Sequence, residues 1–165
     1  MAARILKLLC VFFSVLTVLL CGCEHDKNSN AVNTDFSADF KARYRGTELS
    51  GSLINTRQGY CAIDLSSPET LNGLSVSYSG NELALSRSGV KATADEDYLP
   101  NDSFCSILHG ILKAAPNSKG SSEITLELPC SDANLTVDAD GLPKEASAQS
   151  LDFFITFSNA KATGK

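Results

Sequence analysis

Apolar residues stand at every second position through most of the chain, which is the spacing of strands with one buried face. The first such segment covers residues 36–44. The same alternation recurs at residues 49–53, 61–65, 74–78, 83–85, 90–94, 124–128, 135–139 and 151–157. Short turn sequences such as Gly80-Asn81 and Ser88-Gly89 separate several of these segments. The pattern therefore predicts about nine strands in an antiparallel sheet.

One segment has the period of an α-helix instead. Its apolar face consists of Phe104, Ile107, Leu108, Ile111, Leu112 and Ala115. Asn101 or Asp102 can cap the N-terminus of this helix, and Pro116 ends it. The opposite face carries Ser106, His109, Gly110 and Lys113. We therefore expect His109 to face solvent, without a catalytic or ligand-binding role.

A sheet with one apolar face needs a cover, and the helix has the right pattern to provide it. Burying its five large side chains contributes about 10 kcal/mol gross, at about 1.5–3 kcal/mol each, and conformational entropy offsets most of that. Because strands twist, the sheet curls around the helix. We predict an α+β fold over residues 35–160, an open curled antiparallel sheet (a half-barrel) covered by one amphipathic helix. Residues 161–165 form a tail.

The first 22 residues have the pattern of a cleaved export signal. Arg4 and Lys7 precede a stretch of thirteen residues, 8–20, of which two are polar. This stretch is short for a membrane-spanning helix, which needs about 20 residues. It ends in Leu20-Cys21-Gly22-Cys23. A large aliphatic residue three places before a cysteine, with a small residue just before that cysteine, resembles the lipobox of bacterial lipoprotein precursors.

This resemblance implies that Cys23 receives a diacylglyceryl group and becomes the N-terminus, with Leu20 and Gly22 in the recognition positions. Cys21 departs from the family, which more often has Ala, Ser, Thr or Val there. The protein would then be attached by its lipid to a membrane of the bacterial cell envelope, outside the cytoplasm. Residues 23–34 are polar and predict a flexible tether. The alternative is an ordinary secretory signal, or an uncleaved anchor that happens to contain cysteine.

Two further segments carry a second resemblance, SPETLNGL at residues 67–74 and VDADGLP at residues 137–143. They are similar to a link and an ending that recur in the lipoprotein-carrier (LolA-like) half-barrel superfamily. The resemblance implies a half-barrel that binds or carries a hydrophobic ligand, either an acyl chain or the anchor of another lipoprotein. This chain departs from the family in its smaller size, its fewer strands and its single long helix.

A carrier of this kind needs an apolar slot between helix and sheet. The side chains predicted to line it are Phe40, Tyr44, Ile63, Val76, Leu126 and Phe153 on the sheet and Phe104, Ile107, Leu108 and Ile111 on the helix. The alternative is a surface interaction or structural lipoprotein, whose helix fills the sheet and whose acidic outer face meets protein partners. An apolar void of several hundred Å³ distinguishes the two.

The net charge of the chain limits the kinds of molecule that it is expected to bind. The whole chain has a formal net charge of −5, and removal of residues 1–22 leaves 12 basic against 19 acidic side chains. So acidic a protein is repelled by phosphate backbones, which excludes nucleic acid as an expected partner. The sequence indicates no oligomeric state.

The residues that commonly carry catalysis are scarce. The two histidines are His25, in the tether, and His109 on the predicted helix. Neither is well placed to serve as the histidine that a Ser-His-Asp or Cys-His site requires. We predict no enzyme activity, no cofactor and no metal site. Asp95-Glu96-Asp97 lacks the spaced oxygen ligands of a calcium loop and favours a solvated acidic turn.

The cysteines beyond Cys23 in the mature chain are Cys61, Cys105 and Cys130. Their spacing does not suit zinc. In an exported protein they permit one disulfide in any of three pairings, or small buried thiols.

Overall fold

The computed structural model describes residues 32–117 and 122–163. Within these ranges ten strands form one open antiparallel sheet. One α-helix accompanies the sheet in the described part of the chain, which confirms the predicted α+β half-barrel class. The predicted signal peptide and residues 23–31 of the predicted tether lie outside the described residues.

The strands follow one another in the sheet almost as they do in the sequence. Their bounds are β1 Phe36–Tyr44, β2 Thr47–Asn55, β3 Tyr60–Ser67, β4 Leu74–Ser79, β5 Glu82–Arg87, β6 Val90–Asp95, β7 Glu123–Leu128, β8 Ser131–Val137, β9 Pro143–Ala148 and β10 Phe153–Ala162. The order across the sheet is β6-β5-β4-β3-β2-β1-β10-β9-β8-β7. β6 and β7 are therefore the two edges, and β1 and β10 meet at the centre.

The helix α1, Phe104–Ala114, lies in the connection that runs from one sheet edge to the other. Every member of the predicted apolar stripe is buried, from Phe104 to Ala115, which confirms the predicted helical phase. The Phe104 ring lies 5.8 Å from the ring of Phe40 and 5.6 Å from that of Phe153, measured between centroids. The start of α1 is thus packed on the central strands.

Three details of the predicted elements were wrong. β9 was not predicted, because its inward residues Ala146 and Ala148 are small and give little hydrophobic contrast. The last strand begins at Phe153 rather than Leu151, since residues 149–151 form a 3-10 turn that leads into Asp152 with a φ of 46°. The N-cap of α1 is Ser103, whose side chain accepts from the Ser106 amide.

Backbone contacts show where the packed domain begins and ends within the described residues. The Asn33 amide donates to the Gly141 carbonyl at 2.9 Å, and the Asn55 side chain donates to the buried Thr34 carbonyl at 2.8 Å. At the other end, β10 continues to Ala162, and the Thr163 amide donates to Asp35 at 2.9 Å. The packed region therefore starts slightly before the predicted boundary at residue 35 and extends past residue 160.

Candidate binding groove on the outer face of the helix

The structure brings the predicted slot residues together in one apolar core. The buried members are Phe40, Ile63, Val76, Phe104, Ile107, Leu108, Ile111, Leu126 and Phe153. Tyr44 is half-buried, and its hydroxyl donates to the backbone carbonyl of Asp102. A ligand slot between these side chains stays a prediction.

A groove of about 810 Å³ lies along the face of α1 that turns away from this core. We call it the outer groove. It is lined by Tyr78, Asn81, Asp95, Glu96, Asp97, Leu99, Asn101, Ser106, Ile107, His109, Gly110, Lys113, Ala114, Glu127, Leu128, Pro129 and Cys130. Ile107 is the one predicted slot residue among them. Because the lining includes the end of β6 and the end of β7, the groove lies where the two sheet edges approach α1 from opposite sides.

Hydrogen bonds hold both walls of the outer groove. On one side the Glu96 amide donates to the Asn81 carbonyl at 2.9 Å, which fixes the 3-10 turn Glu96–Tyr98 against the turn between β4 and β5. On the other side the Cys130 thiol donates to the Asn101 carbonyl at 3.2 Å. These contacts tie the turns on either side of the groove to neighbouring segments.

Leu128 of β7 lies close to Gly110 on the helix. A Cβ built at this position would lie 3.4 Å from Cδ2 of Leu128. This distance is an ordinary van der Waals contact, so Leu128 packs against α1 beside Gly110 and lines the groove together with Leu99. A helical wheel gives no sign of this contact, because Leu128 comes from another element.

The prediction that His109 faces solvent was wrong. Its side chain is 13% exposed, and its ring is stacked on the Tyr78 ring with centroids 4.0 Å apart and planes 1° from parallel. Nε2 lies 3.2 Å from Oε1 of Glu96, which also accepts from Lys113 Nζ at 2.5 Å. His109 does point away from the main core, but Tyr78 and Glu96, which belong to other elements, cover it.

Burial sets the protonation of this cluster. It lowers the pKa of His109, and Glu96 opposes that change only in part. Burial also raises the pKa of Tyr78 to about 12. The hydrogen bond from Lys113 lowers the pKa of Glu96. Near neutral pH the cluster therefore holds a neutral imidazole, a neutral phenol and an ionised carboxylate.

Two polar atoms of the cluster are buried without a hydrogen-bond partner in the described residues, His109 Nδ1 and the Tyr78 hydroxyl. The Ser106 side chain beside Tyr78 offsets part of the rise of the Tyr78 pKa, but the two hydroxyls do not meet hydrogen-bond geometry. Buried polar atoms nearly always have partners. His109 Nδ1 and the Tyr78 hydroxyl are therefore available to hydrogen-bond a polar group of a ligand.

Acid should weaken the fold through His109. Because its folded pKa lies below the usual 6.5, the unfolded chain binds the proton more readily, and the free energy of unfolding falls as pH drops from about 7 to about 5. Glu96 acts at lower pH, since its pKa lies below the usual 4.5. His109→Phe keeps a ring on Tyr78 and removes the titrating group. Melting curves at both pH values should show a smaller acid shift in this variant, and an unchanged shift would contradict the assignment.

The cysteines within the described ranges, Cys61, Cys105 and Cys130, are free thiols. Burial raises the pKa of both Cys61 and Cys105 to about 12, so neither is a thiolate near neutral pH. Cys130 is half-buried at the rim of the outer groove. No three His, Cys, Asp or Glu side chains of the described residues are grouped so as to hold a metal ion.

No helix within the described ranges is long and apolar enough to cross a membrane. No protein-family model matches the sequence, and no curated protein matches it either.

Solved structures are similar to this chain. An uncharacterized conserved protein from Thermus thermophilus has 12% identity and a TM-score of 0.54, covering 85% of both chains. A LolA superfamily protein from Nitrosomonas europaea has 8% identity and a TM-score of 0.40, covering 85% of this chain and 92% of its own. A DUF1329 family protein from Desulfovibrio piger has 12% identity and a TM-score of 0.42, and the match covers 79% of this chain and 86% of the Desulfovibrio chain. The likeness to the Thermus protein shows a shared fold.

Proposed function

We propose that this protein is a lipid-anchored, non-enzymatic lipoprotein of the bacterial cell envelope whose half-barrel binds a hydrophobic ligand in the outer groove. The ligand would be an acyl chain or the anchor of another lipoprotein. The observation that carries the proposal is the groove itself. Its volume of about 810 Å³ falls within the roughly 300–1,000 Å³ of small-molecule sites.

The floor of the outer groove suits an alkyl chain. Leu99, Ala114, Leu128 and Pro129 supply apolar surface between the two walls. Each methylene group buried there would contribute about 0.8 kcal/mol, so about eight of them would contribute roughly 6 kcal/mol before the cost of immobilising the chain. The slot predicted from the sequence would instead require the buried core side chains to separate. The outer groove offers space without that rearrangement.

A photoreactive acyl probe tests this proposal. The full-length protein, in its membrane, is irradiated with a probe that carries a diazirine near the end of its chain, and the adducts are located by peptide mass spectrometry. We expect adducts around Leu99, Ile107 and Leu128. Ala114→Trp places a large ring in the groove and should remove most of them. Val90→Trp is the matched control, because Val90 is 72% exposed on the edge strand and does not line the groove.

Adducts spread evenly over the domain surface, or an Ala114→Trp variant labelled as strongly as wild type, would count against ligand binding. The protein would then be better described as a surface interaction lipoprotein. The complete burial of the apolar stripe of α1 favours that second candidate, because it leaves the sheet covered without a ligand.

Membrane attachment depends on Cys23, which lies outside the described residues. A diacyl anchor contributes about 0.8 kcal/mol per buried CH₂, and two chains give stable attachment. Cys23→Ser should therefore leave an unlipidated precursor that no longer partitions into the detergent-rich phase on Triton X-114 extraction. Partitioning equal to that of wild type would refute the lipoprotein interpretation.

A further inference from the structure

The described residues at the rim of the outer groove carry an excess of negative charge. Among them four carboxylates line the groove, Asp95, Glu96, Asp97 and Glu127, and Lys113 is the one lysine or arginine. Lys113 and His109 both engage Glu96. The other three carboxylates form no ion pair within the described residues. They come from both walls, because Asp95 ends β6 and Glu127 belongs to β7. A ligand lying between them therefore experiences negative charge from both sides.

The buried end of the groove contains two polar atoms that lack a hydrogen-bond partner in the described residues. Tyr78 is 1% exposed, lines the groove and has an unpartnered hydroxyl. Glu96 is ionised and can only accept, so Nε2 of His109 carries the hydrogen that lies between them. Nδ1 of a neutral His109 then has a free lone pair. Nδ1 of His109 can only accept, whereas the Tyr78 hydroxyl can donate or accept. The sign of the head group therefore follows from the three unpaired carboxylates of the rim, which favour a cationic N–H donor over an anionic or purely apolar head group.

We propose that the ligand of the outer groove is a single-chain amphiphile with a primary ammonium head, attracted by Asp95, Asp97 and Glu127 and hydrogen-bonded by Tyr78. This inference rests on the proposed function, since it assumes that the groove takes an alkyl chain. It adds the chemistry of the head group. A fatty acid of the same chain length would bring a carboxylate against the three unpaired carboxylates and bind more weakly.

Three photoreactive probes that differ only in the head group test the inference: a primary alkylamine, its N-acetyl derivative and the corresponding fatty acid. The full-length protein in phosphatidylcholine vesicles is labelled with each, and adducts on groove peptides are normalised to adducts elsewhere on the chain, which corrects for unequal partition into the bilayer. We expect the amine to label the groove at least about tenfold more than the fatty acid, a difference equivalent to about 1.4 kcal/mol. The N-acetyl probe should be intermediate.

Two variants examine the head-group contacts separately. The double variant Asp97→Asn with Glu127→Gln should bring the amine down to the level of the N-acetyl probe. Its matched control is Asp64→Asn with Glu145→Gln, which removes two exposed charges outside the groove and should preserve the preference for the amine over the N-acetyl probe.

Tyr78→Phe keeps the ring that stacks on His109 but lacks the hydroxyl. It should lower amine labelling several-fold and N-acetyl labelling to a smaller extent, because the amide of that probe can also hydrogen-bond to the hydroxyl. The melting temperature of the protein without probe should be unchanged or higher, because the hydroxyl that the variant lacks is buried without a partner.

The outcomes separate the two proposals. If no probe labels the wild-type groove above Ala114→Trp, both the proposed function and this inference fail. If all three probes label it equally, or the fatty acid is preferred, ligand binding stands and the ammonium head is refuted. A basic amphipathic peptide that displaces the amine probe at a lower concentration than the unlabelled alkylamine would also overturn the inference, because the occupant would then be a protein segment.

Discussion

Leu108→Asp should destabilise the domain by about 3–5 kcal/mol, enough to unfold much of a protein of ordinary stability. Leu108 is fully buried at the centre of the α1 stripe. The variant loses its apolar contacts with the sheet and places a carboxylate where no partner is available. Urea unfolding monitored by circular dichroism measures the loss. Because the buried carboxyl group would have a raised pKa, the defect should be smaller at acidic pH.

Two controls show whether the position or the chemical change is responsible. Val90→Asp introduces the same carboxylate at a residue that is 72% exposed and should change stability by less than about 0.5 kcal/mol. Leu108→Met keeps the volume and apolar character and should cost less than about 1.5 kcal/mol. Equal unfolding midpoints for Leu108→Asp and Val90→Asp would mean that α1 does not cover the sheet.

The burial of His109 changes what a substitution there should do. The sequence alone predicts that His109→Asp costs almost nothing, because the residue lies opposite the apolar stripe. In the structure this change would end the stacking on Tyr78 and place a second carboxylate beside Glu96. We therefore expect a measurable loss of stability in His109→Asp, smaller than in Leu108→Asp, which the same urea titration would detect.

Features that depend on one element at a time could be predicted from the sequence. Alternation along a strand and the 3.6-residue period of α1 are local properties, and each gives the buried face directly. The phase of the α1 stripe, from Phe104 to Ala115, is confirmed for this reason. β9 shows the limit of such a pattern. Its inward alanines pair with β8 and β10 but contribute too little hydrophobic contrast to be recognised from the sequence.

The outer groove depends on several elements at once and could not be predicted in the same way. Its walls come from the ends of β6 and β7, which are separated by α1 in the sequence and lie at opposite edges of the sheet. In the sequence Glu96 has the pattern of a solvated acidic turn, yet its side chain contacts His109 and Lys113 on α1. The sequence does contain one indication of this site. Tyr78 is the last inward-facing residue of the alternating segment 74–78, so its hydroxyl was expected to be buried or hydrogen-bonded. That signal indicates a polar group in the core without locating it.

Gly51→Ala should be among the most damaging small substitutions in the domain. A Cβ at this position would lie 2.0 Å from the Asp64 carbonyl oxygen and 2.9 Å from Cζ of Phe40. The register between β2 and β3 shifts at this point, which brings the β3 backbone close to Gly51, and Phe40 is its cross-strand partner on β1. Since a backbone carbonyl has to move, we expect a loss of about 3 kcal/mol, at the upper end of the range for overpacking.

Gly110→Ala is the matched control, because it adds the same methyl group to a different environment. There the new Cβ would meet the flexible end of Leu128 at 3.4 Å, and alanine favours an α-helix over glycine by about 1 kcal/mol. This variant should melt at or above the wild-type temperature, while Gly51→Ala melts well below it. If the two variants melted together, the close approach of β3 to Gly51 would not exist in solution. The register shift assigned to that strand pair would then be wrong.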